Sequence, residues 1–465
     1  MRRWARALPF PAFLLVFLVL PGSLAAQGEA DRLWLIGSHA FTDQLYPLAR
    51  RVLERLLERY PKDARFPDAT LLLGKTELAL GELARALESF RRARQLTPPP
   101  GQPEEAQFWE GETLFQMKRY QEARAVYDAL LADNAASPLA PDALYGYAWC
   151  ELKLKRPDPA VTAFRQLRET WPEHALAPSA TYYLARTLIE LKRANEAATL
   201  LLPFASRYPA HHLVPEARYL LGWSRLAAGK TDEGVTDLRA FIADYPTHEL
   251  VSQARRAITS ALLRQGREPE LAEEYRTLLS QSPPTAEGLY DAGLLAQKLG
   301  RSKDTEAAWR RLRSEFPAHV LAGRASLKLA QAAFNRNQFK EALTLAREAS
   351  KSQEEPVRME ALLLVGESEI KASRFQAALK AFEAVLAIES ADSALHFRAL
   401  AGSGLVHEEL RHWEEAAKRY EKVAAESPDE ALKQWAKARL AAVQAKSEPP
   451  KPKAAPKPKR EKPSP

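Results

Sequence analysis

Proline recurs along this chain at a fixed interval. Six prolines share a pitch of 37 residues, with one beat skipped at Ala135: Pro61, Pro98, Pro172, Pro209, Pro246 and Pro283. A fixed period of about 20 to 50 residues is typical of proteins built from stacked structural repeats. In such a stack each repeat contacts only its neighbours, so the pitch favours a repeat architecture and argues against a conventional enzyme fold.

Three more columns share this pitch. Small residues stand 24 positions before each beat: Gly37, Gly74, Gly111, Ala148, Ala185 and Gly222. A second small column follows twelve positions later: Ala49, Ala86, Ala123, Ala160, Ala197 and Gly234. Bulky residues come four positions after that: Leu53, Phe90, Tyr127, Phe164, Leu201, Leu238 and Tyr275. Beyond Pro283 the phase shifts but the pattern continues to Pro428, which makes about eleven copies.

The columns predict a pair of helices in each copy. Each copy contains two apolar-periodic stretches of about 13 to 16 residues, long enough for helices. We expect the first small residue to let the two helices of a copy approach, the second to do the same against the next copy, and the bulky residue to fill the space between. Proline ends the second helix because it lacks an N–H. Short connectors such as Leu80-Gly81-Glu82 predict antiparallel pairs.

These small, bulky and proline columns resemble the tetratricopeptide repeat. The resemblance implies an all-α, right-handed superhelical solenoid of about eleven helix pairs over residues 27–428, with a capping helix at 429–446. The long junction after each proline is similar to that of bacterial envelope repeat proteins, the outer-membrane-assembly lipoproteins and the Tol–Pal coordinator. Thr259, Leu271, Glu354 and Ser390 depart from the pattern, so we expect distortion in the copies that contain them.

The first 26 residues have the pattern of a secretory signal peptide. Basic residues precede the apolar run Ala12–Leu20, and small residues follow, so cleavage is expected after Ala25 or Ala26. The alternative is an uncleaved anchor, although the run is short for a hydrocarbon core that needs about 20 apolar residues. No cysteine follows to carry a lipid, and no other segment is apolar enough to span a membrane. The mature chain is therefore expected to be periplasmic or secreted.

The C-terminal residues 447–465 are rich in proline and lysine and are predicted to be disordered. They would serve as a solvated leash or make weak contact with an anionic envelope polymer or lipid headgroup. The signal segment and this tail contribute +3 and +4 to the net charge of +8. A nearly neutral repeat body lacks the basic surface that nucleic-acid binding requires, so no nucleic-acid partner is predicted.

No constellation of catalytic or metal-binding residues is recognisable. Gly74-Lys75-Thr76 lacks the second glycine of a phosphate-binding loop. His407 and His412 are five residues apart, whereas a zinc-protease helix requires four. The single cysteine, Cys150, is expected to be a core residue. Four histidines that follow repeat prolines are expected at helix junctions: His174, His211, His248 and His319. The sequence therefore predicts no catalytic, cofactor-binding or metal-binding residues and a non-enzymatic protein.

Aromatic residues form a column on the first helices. The column contains Phe108, Tyr145, Tyr182 and Tyr219 on the 37-residue pitch, with Tyr290 continuing it, and Trp149, Arg186 and Trp223 one helical turn further. In the family that the chain resembles, first helices line a concave surface, where such side chains suit a peptide or a sugar ring. Packing between helices is the alternative.

Together these features predict an exported, non-enzymatic scaffold that binds envelope proteins or peptides. The aromatic column motivates an alternative, a glycan-binding module in polysaccharide export or cell-wall remodelling.

Overall fold

The computed structural model describes residues 28–134, 136–389 and 393–447. The predicted signal peptide, and the predicted tail from residue 448 onward, lie outside this range. All regular secondary structure in the described residues is helical. The chain divides into two compact units, Met1–Asp237 and Leu238–Pro465.

The first unit contains α1 (Glu29–Thr42), α2 (Tyr46–Arg59), α3 (Phe66–Ala79), α4 (Leu83–Gln95), α5 (Pro103–Gln116), α6 (Tyr120–Asp133), α7 (Ala140–Lys153), α8 (Pro157–Thr170), α9 (Ala177–Glu190), α10 (Ala194–Leu201), α11 (Phe204–Arg207), α12 (Val214–Ala227) and the start of α13 (Thr231–Asp244). The second unit contains the rest of α13, α14 (Val251–Gln265), α15 (Glu268–Ser280), α16 (Ala286–Lys298), α17 (Ser302–Glu315), α18 (Val320–Asn335), α19 (Phe339–Ala349), α20 (Glu355–Lys371), α21 (Phe375–Leu386), α22 (Ser393–Glu409), α23 (Trp413–Glu426) and α24 (Glu430–Ser447).

Within each unit, consecutive helices pair and each pair packs on the next. The described residues form eleven such hairpins, from α1–α2 to α22–α23, followed by the single helix α24. This arrangement confirms the predicted all-α stack of helix pairs.

The small and bulky columns interlock as predicted. A Cβ added to Gly111 would lie 2.6 Å from the ring of Tyr127 in the same hairpin, and one added to Gly146 of the next hairpin would lie 2.7 Å from the same ring. Tyr127 is fully buried between them, and its hydroxyl donates a hydrogen bond to Glu112 over 2.5 Å. Phe382 is held in the same way between Gly366 and Gly402. The absence of a side chain at these glycines is therefore what allows the helices to approach.

Each hairpin turn contains one residue with a positive φ. These residues are Gln44, Gly81, Lys118, Lys155, Lys192, Gly229, Gly266, Gly300, Asn337, Ser373 and Arg411. The left-handed conformation reverses the chain within a few residues, which brings the second helix back along the first. Only glycine adopts this conformation without a steric cost, yet lysine occupies it in three successive hairpins.

Two expectations about individual hairpins are wrong. The second helix of the fifth hairpin is not continuous, because Pro203 separates α10 from α11 and cannot donate the backbone hydrogen bond of a helix interior. Conversely, Thr259 and Leu271 do not disrupt the seventh hairpin. Both side chains are buried in helices of 15 and 13 residues. The second helices of the ninth and tenth hairpins, where proline was missing, have 11 and 12 residues.

The helix α24 covers the last hairpin. Asp429 precedes it and accepts hydrogen bonds from the backbone N–H groups of Ala431 and Leu432 at 2.9 and 3.2 Å. Val443 is fully buried, and the ring of Trp435 meets Tyr420 edge-on at 5.5 Å. This contact closes the apolar side of the final hairpin.

Buried carboxylates join neighbouring hairpins. Glu110 on α5 accepts hydrogen bonds from Arg91 and Arg94 on α4, at 2.9 and 2.5 Å. Glu151 on α7 pairs with Arg124 on α6 in the same manner. Because these glutamates are almost fully buried, loss of an arginine would leave an unpaired charge inside the stack.

Candidate functional site

The predicted aromatic residues lie on the first helices of successive hairpins. Phe108 is on α5, Tyr145 and Trp149 are on α7, Tyr182 and Arg186 are on α9, and Tyr219 and Trp223 are on α12, all in the first unit. Tyr290 is on α16 of the second unit, where its ring stacks on Trp309 at 6.2 Å. Burial raises the pKa of Tyr290.

An aromatic cluster connects the fourth and fifth hairpins, and its centre is Tyr183, which the sequence analysis missed. The ring of Tyr183 lies 4.7 Å from that of Trp149 and 6.5 Å from that of Tyr145. It also contacts Phe164 at 6.4 Å and Tyr182 at 5.2 Å. Edge-to-face contacts of this kind fix ring orientations, so the cluster provides a rigid base for neighbouring surface residues.

Burial varies along this column. Burial raises the pKa of Tyr145 to about 12, and its ring also packs against Phe164 at 5.7 Å. Tyr145 and Trp149 are half-buried, with Lys153 placed 5.9 Å from the centre of the Trp149 ring. Packing between helices, which the sequence left open as an alternative, thus accounts for a large part of what Tyr145 and Trp149 do.

The more exposed part of the column lies on α9 and α12. We call Tyr182, Arg186, Tyr219 and Trp223 the aromatic face. Burial raises the pKa of Tyr182, Arg186 opposes this shift, and Glu216 and Tyr219 add to it, which indicates that these groups share one environment. Trp223 is 41% exposed, and Arg186 is exposed beside Glu190 at 3.8 Å. An exposed ion pair of this kind contributes little stability, so the guanidinium can exchange this carboxylate for another.

Phe108 requires a correction. Its side chain is only 9% exposed, because it packs against Tyr127 at 6.2 Å and Trp109 at 5.3 Å. The third hairpin therefore presents no aromatic ring at this column position, and Phe108 belongs to the core.

The histidine column has a structural role. In His174, His211, His248 and His319, Nδ1 accepts a hydrogen bond from the backbone N–H two residues later, at 3.2 to 3.3 Å. Each histidine thus caps the start of a first helix, as the junction interpretation predicted. Within the described ranges, no group of three or more His, Cys, Asp or Glu residues is placed to hold a metal ion.

Cys150 lies in the core between the third and fourth hairpins. Its side chain is fully buried, and burial raises the pKa of its thiol to about 12. A thiol of this pKa carries almost no thiolate at neutral pH and is a poor nucleophile.

Comparison with known families matches this architecture. A tetratricopeptide repeat model matches residues 35–103, 108–175, 290–349 and 327–394, and a second model of the same repeat matches residues 216–248. The chain belongs to the tetratricopeptide repeat family. No curated protein matches its sequence.

Solved structures of this family have similar folds at low identity. A tetratricopeptide repeat protein from Parabacteroides merdae is 15% identical over 56% of this chain and 96% of its own, with a TM-score of 0.36. PilW, a type IV pilus biogenesis factor, is 21% identical over 49% of this chain and 99% of its own, with a TM-score of 0.38. YrrB, described as having an unusual peptide-binding site, is 19% identical over 44% and 97%, with a TM-score of 0.36.

The tetratricopeptide repeat stack is the architecture of a protein-interaction scaffold. No helix among the residues that the structure describes is long and apolar enough to cross a bilayer.

Proposed function

We propose that this protein is an exported, non-enzymatic scaffold that binds other proteins of the bacterial cell envelope through its aromatic face. The observation that carries the proposal is the exposure of Trp223 and Arg186 beside half-buried Tyr182 and Tyr219. Export rests on the pattern of a signal peptide in residues 1–26. The alternative function, glycan binding, rests on the same rings and is an outcome of the test below.

The composition of the aromatic face suits a protein or peptide partner. Tryptophan, tyrosine and arginine are the residues most enriched where binding energy concentrates, because they combine a large apolar area with polar groups. The aromatic cluster at Tyr183 holds the surface rings from below, which lowers the entropy lost on binding. The exposed Arg186 favours a partner segment with a carboxylate near its aromatic or apolar side chains.

The proposal is tested by crosslinking in intact cells that export the protein. Wild type is compared with Arg186→Ala/Trp223→Ala, whose side chains are exposed, so truncation leaves the core intact. Tyr145 is left unchanged because its burial makes truncation a stability mutation. Leu202→Ala, which removes a side chain exposed to 59% elsewhere in the same unit, is the matched control.

We expect envelope proteins to be captured by wild type and by the Leu202 control and lost from the double variant. An alanine substitution at a binding hot spot costs about 2 kcal/mol or more, or roughly a thirtyfold loss of affinity. Equal capture by the three proteins would reject the aromatic face as the binding site. Retention of an envelope glycan by wild type alone, with no protein captured, would support the glycan-binding alternative. A cytoplasmic location after fractionation would reject export.

A further inference from the structure

The first hairpin has an exposed apolar surface. Of the seven large apolar side chains that are exposed in the described part of the chain, four lie on or beside α1 and α2: Leu35, Ile36, Leu45 and Leu48, with exposures of 42, 47, 53 and 40%. We call these four residues the N-terminal end face.

Later hairpins show what the positions of Leu45 and Leu48 contact. The residues 37 positions further on are Glu82 and Arg85. Glu82 pairs with Arg50 on the second helix of the preceding hairpin, and Arg85 lies 3.7 Å from Glu54 on the same helix.

The contact at the Leu48 position recurs along the first unit. Glu122 lies 3.9 Å from Arg91, and Glu196 lies 3.3 Å from Arg165, each arginine on the second helix of the preceding hairpin. These positions therefore face the preceding hairpin.

The position of Ile36 faces the same way. Two repeats later it is occupied by Glu110, which is bonded to Arg91 and Arg94 of the preceding hairpin. In other hairpins it holds Leu73, Leu184 and Ile258, which are all buried. The N-terminal end face is thus a surface that elsewhere in the chain is covered by another hairpin.

The opposite end of the stack differs. There α24 buries Val443 and Ala436 against the last hairpin and turns small or polar residues outward: Gln434, Lys437, Ala438, Ala441 and Ala442. It exposes no large apolar side chain. An open head-to-tail stack of copies would bury the N-terminal end face against this polar surface, which is a poor apolar match.

We propose that the N-terminal end face binds the same face of a second copy of this chain, forming a two-fold dimer. An isologous contact buries apolar surface against apolar surface. It also pairs charges, because exposed Arg32 lies near the start of α1 and exposed Asp43 just after its end. Antiparallel α1 helices would bring Arg32 of each copy close to Asp43 of the other. This dimer does not depend on the aromatic face.

Sedimentation velocity on the exported, purified protein tests the dimer. The variants are Leu45→Glu and Leu48→Glu, which later hairpins show to be compatible with the fold, since Glu82, Glu122 and Glu196 occupy the equivalent positions. Leu202→Glu is the control for adding an acid to an exposed apolar position. We expect a dimer for wild type and the control, and a dissociation constant raised at least about tenfold by either end-face variant.

Charge reversal tests the geometry. Arg32→Asp alone is expected to weaken the dimer, and Arg32→Asp combined with Asp43→Arg is expected to restore it. N-terminal sequencing of the same sample establishes whether residues 1–26 have been removed. A monomeric wild type overturns the proposal, whether those residues are absent or retained to cover the face. A dimer that neither end-face variant weakens places the interface elsewhere and also overturns it.

Discussion

Replacement of Gly111 by alanine tests the packing rule on which the stack depends. The new Cβ would lie 2.6 Å from Cε1 of Tyr127, closer than carbon atoms can approach. The ring cannot retreat, because its other side meets Gly146, where a Cβ would lie 2.7 Å away, and its hydroxyl is held by Glu112. Overpacking of this kind costs about 1 to 3 kcal/mol, whereas an unhindered glycine-to-alanine change inside a helix gains about 1 kcal/mol.

We therefore expect Gly111→Ala to lower the free energy of unfolding by about 1 to 2 kcal/mol in urea titrations followed by circular dichroism. The control is Gly101→Ala, where the nearest atom to a new Cβ is 3.6 Å away and a change within about 0.5 kcal/mol is expected. The fifth hairpin accommodates alanine and leucine at the same two positions, as Ala185 and Leu201.

On a Tyr127→Leu background, Gly111→Ala should therefore cost less than it does in wild type, since the ring is gone. A neutral or stabilising Gly111→Ala in the wild-type chain would refute the packing argument, whatever the background variant shows.

Three further predictions follow from turns, burial and capping. Lys118 has a φ of 61°, so Lys118→Gly should raise the unfolding free energy by about 0.5 to 1 kcal/mol, and Gly81→Lys, at a φ of 77°, should lower it similarly; urea titrations that show the reverse order would contradict this. Burial raises the pKa of Asp291 to about 6, above its ordinary 3.8, so its contribution is fully present below pH 3.8 and is lost as the pH rises through 6. Asp291→Asn should accordingly stabilise the protein by roughly 2 kcal/mol at pH 8 and hardly at all at pH 3.5, and a pH-independent difference would contradict the burial argument. Asp429→Ala should cost about 1 kcal/mol and speed amide exchange in α24, whereas Glu430→Ala, which leaves the cap in place, should not.

The repeat period predicted most of the fold. The small and bulky columns identified which residues meet inside a hairpin, because a period of 37 residues repeats the same geometry and leaves the same side chains facing each other. The turn positions were harder to predict. Lys118, Lys155 and Lys192 adopt the left-handed conformation although lysine has no preference for it, so the closure of the hairpin imposes the conformation.

The candidate site was predictable only in part. The column at Tyr182 and Tyr219 was visible as a 37-residue repeat, but Tyr183 is one residue away from it and has no aromatic counterpart in the next hairpin, where Leu220 stands. Its central position depends on contacts with the preceding hairpin. Phe108 shares the column but is buried, because Trp109 and Tyr127 pack around it. Periodicity identifies equivalent positions, whereas exposure depends on the size of the neighbours at each one.

The central claim, that the aromatic face binds an envelope protein, is tested most directly by a photoreactive amino acid placed at Trp223 in the exporting cell. The same residue at Leu202, exposed on the same unit, is the control. The account predicts a covalent adduct with an envelope protein at position 223 and none at position 202. The same adduct at both positions, or none at position 223, would contradict it.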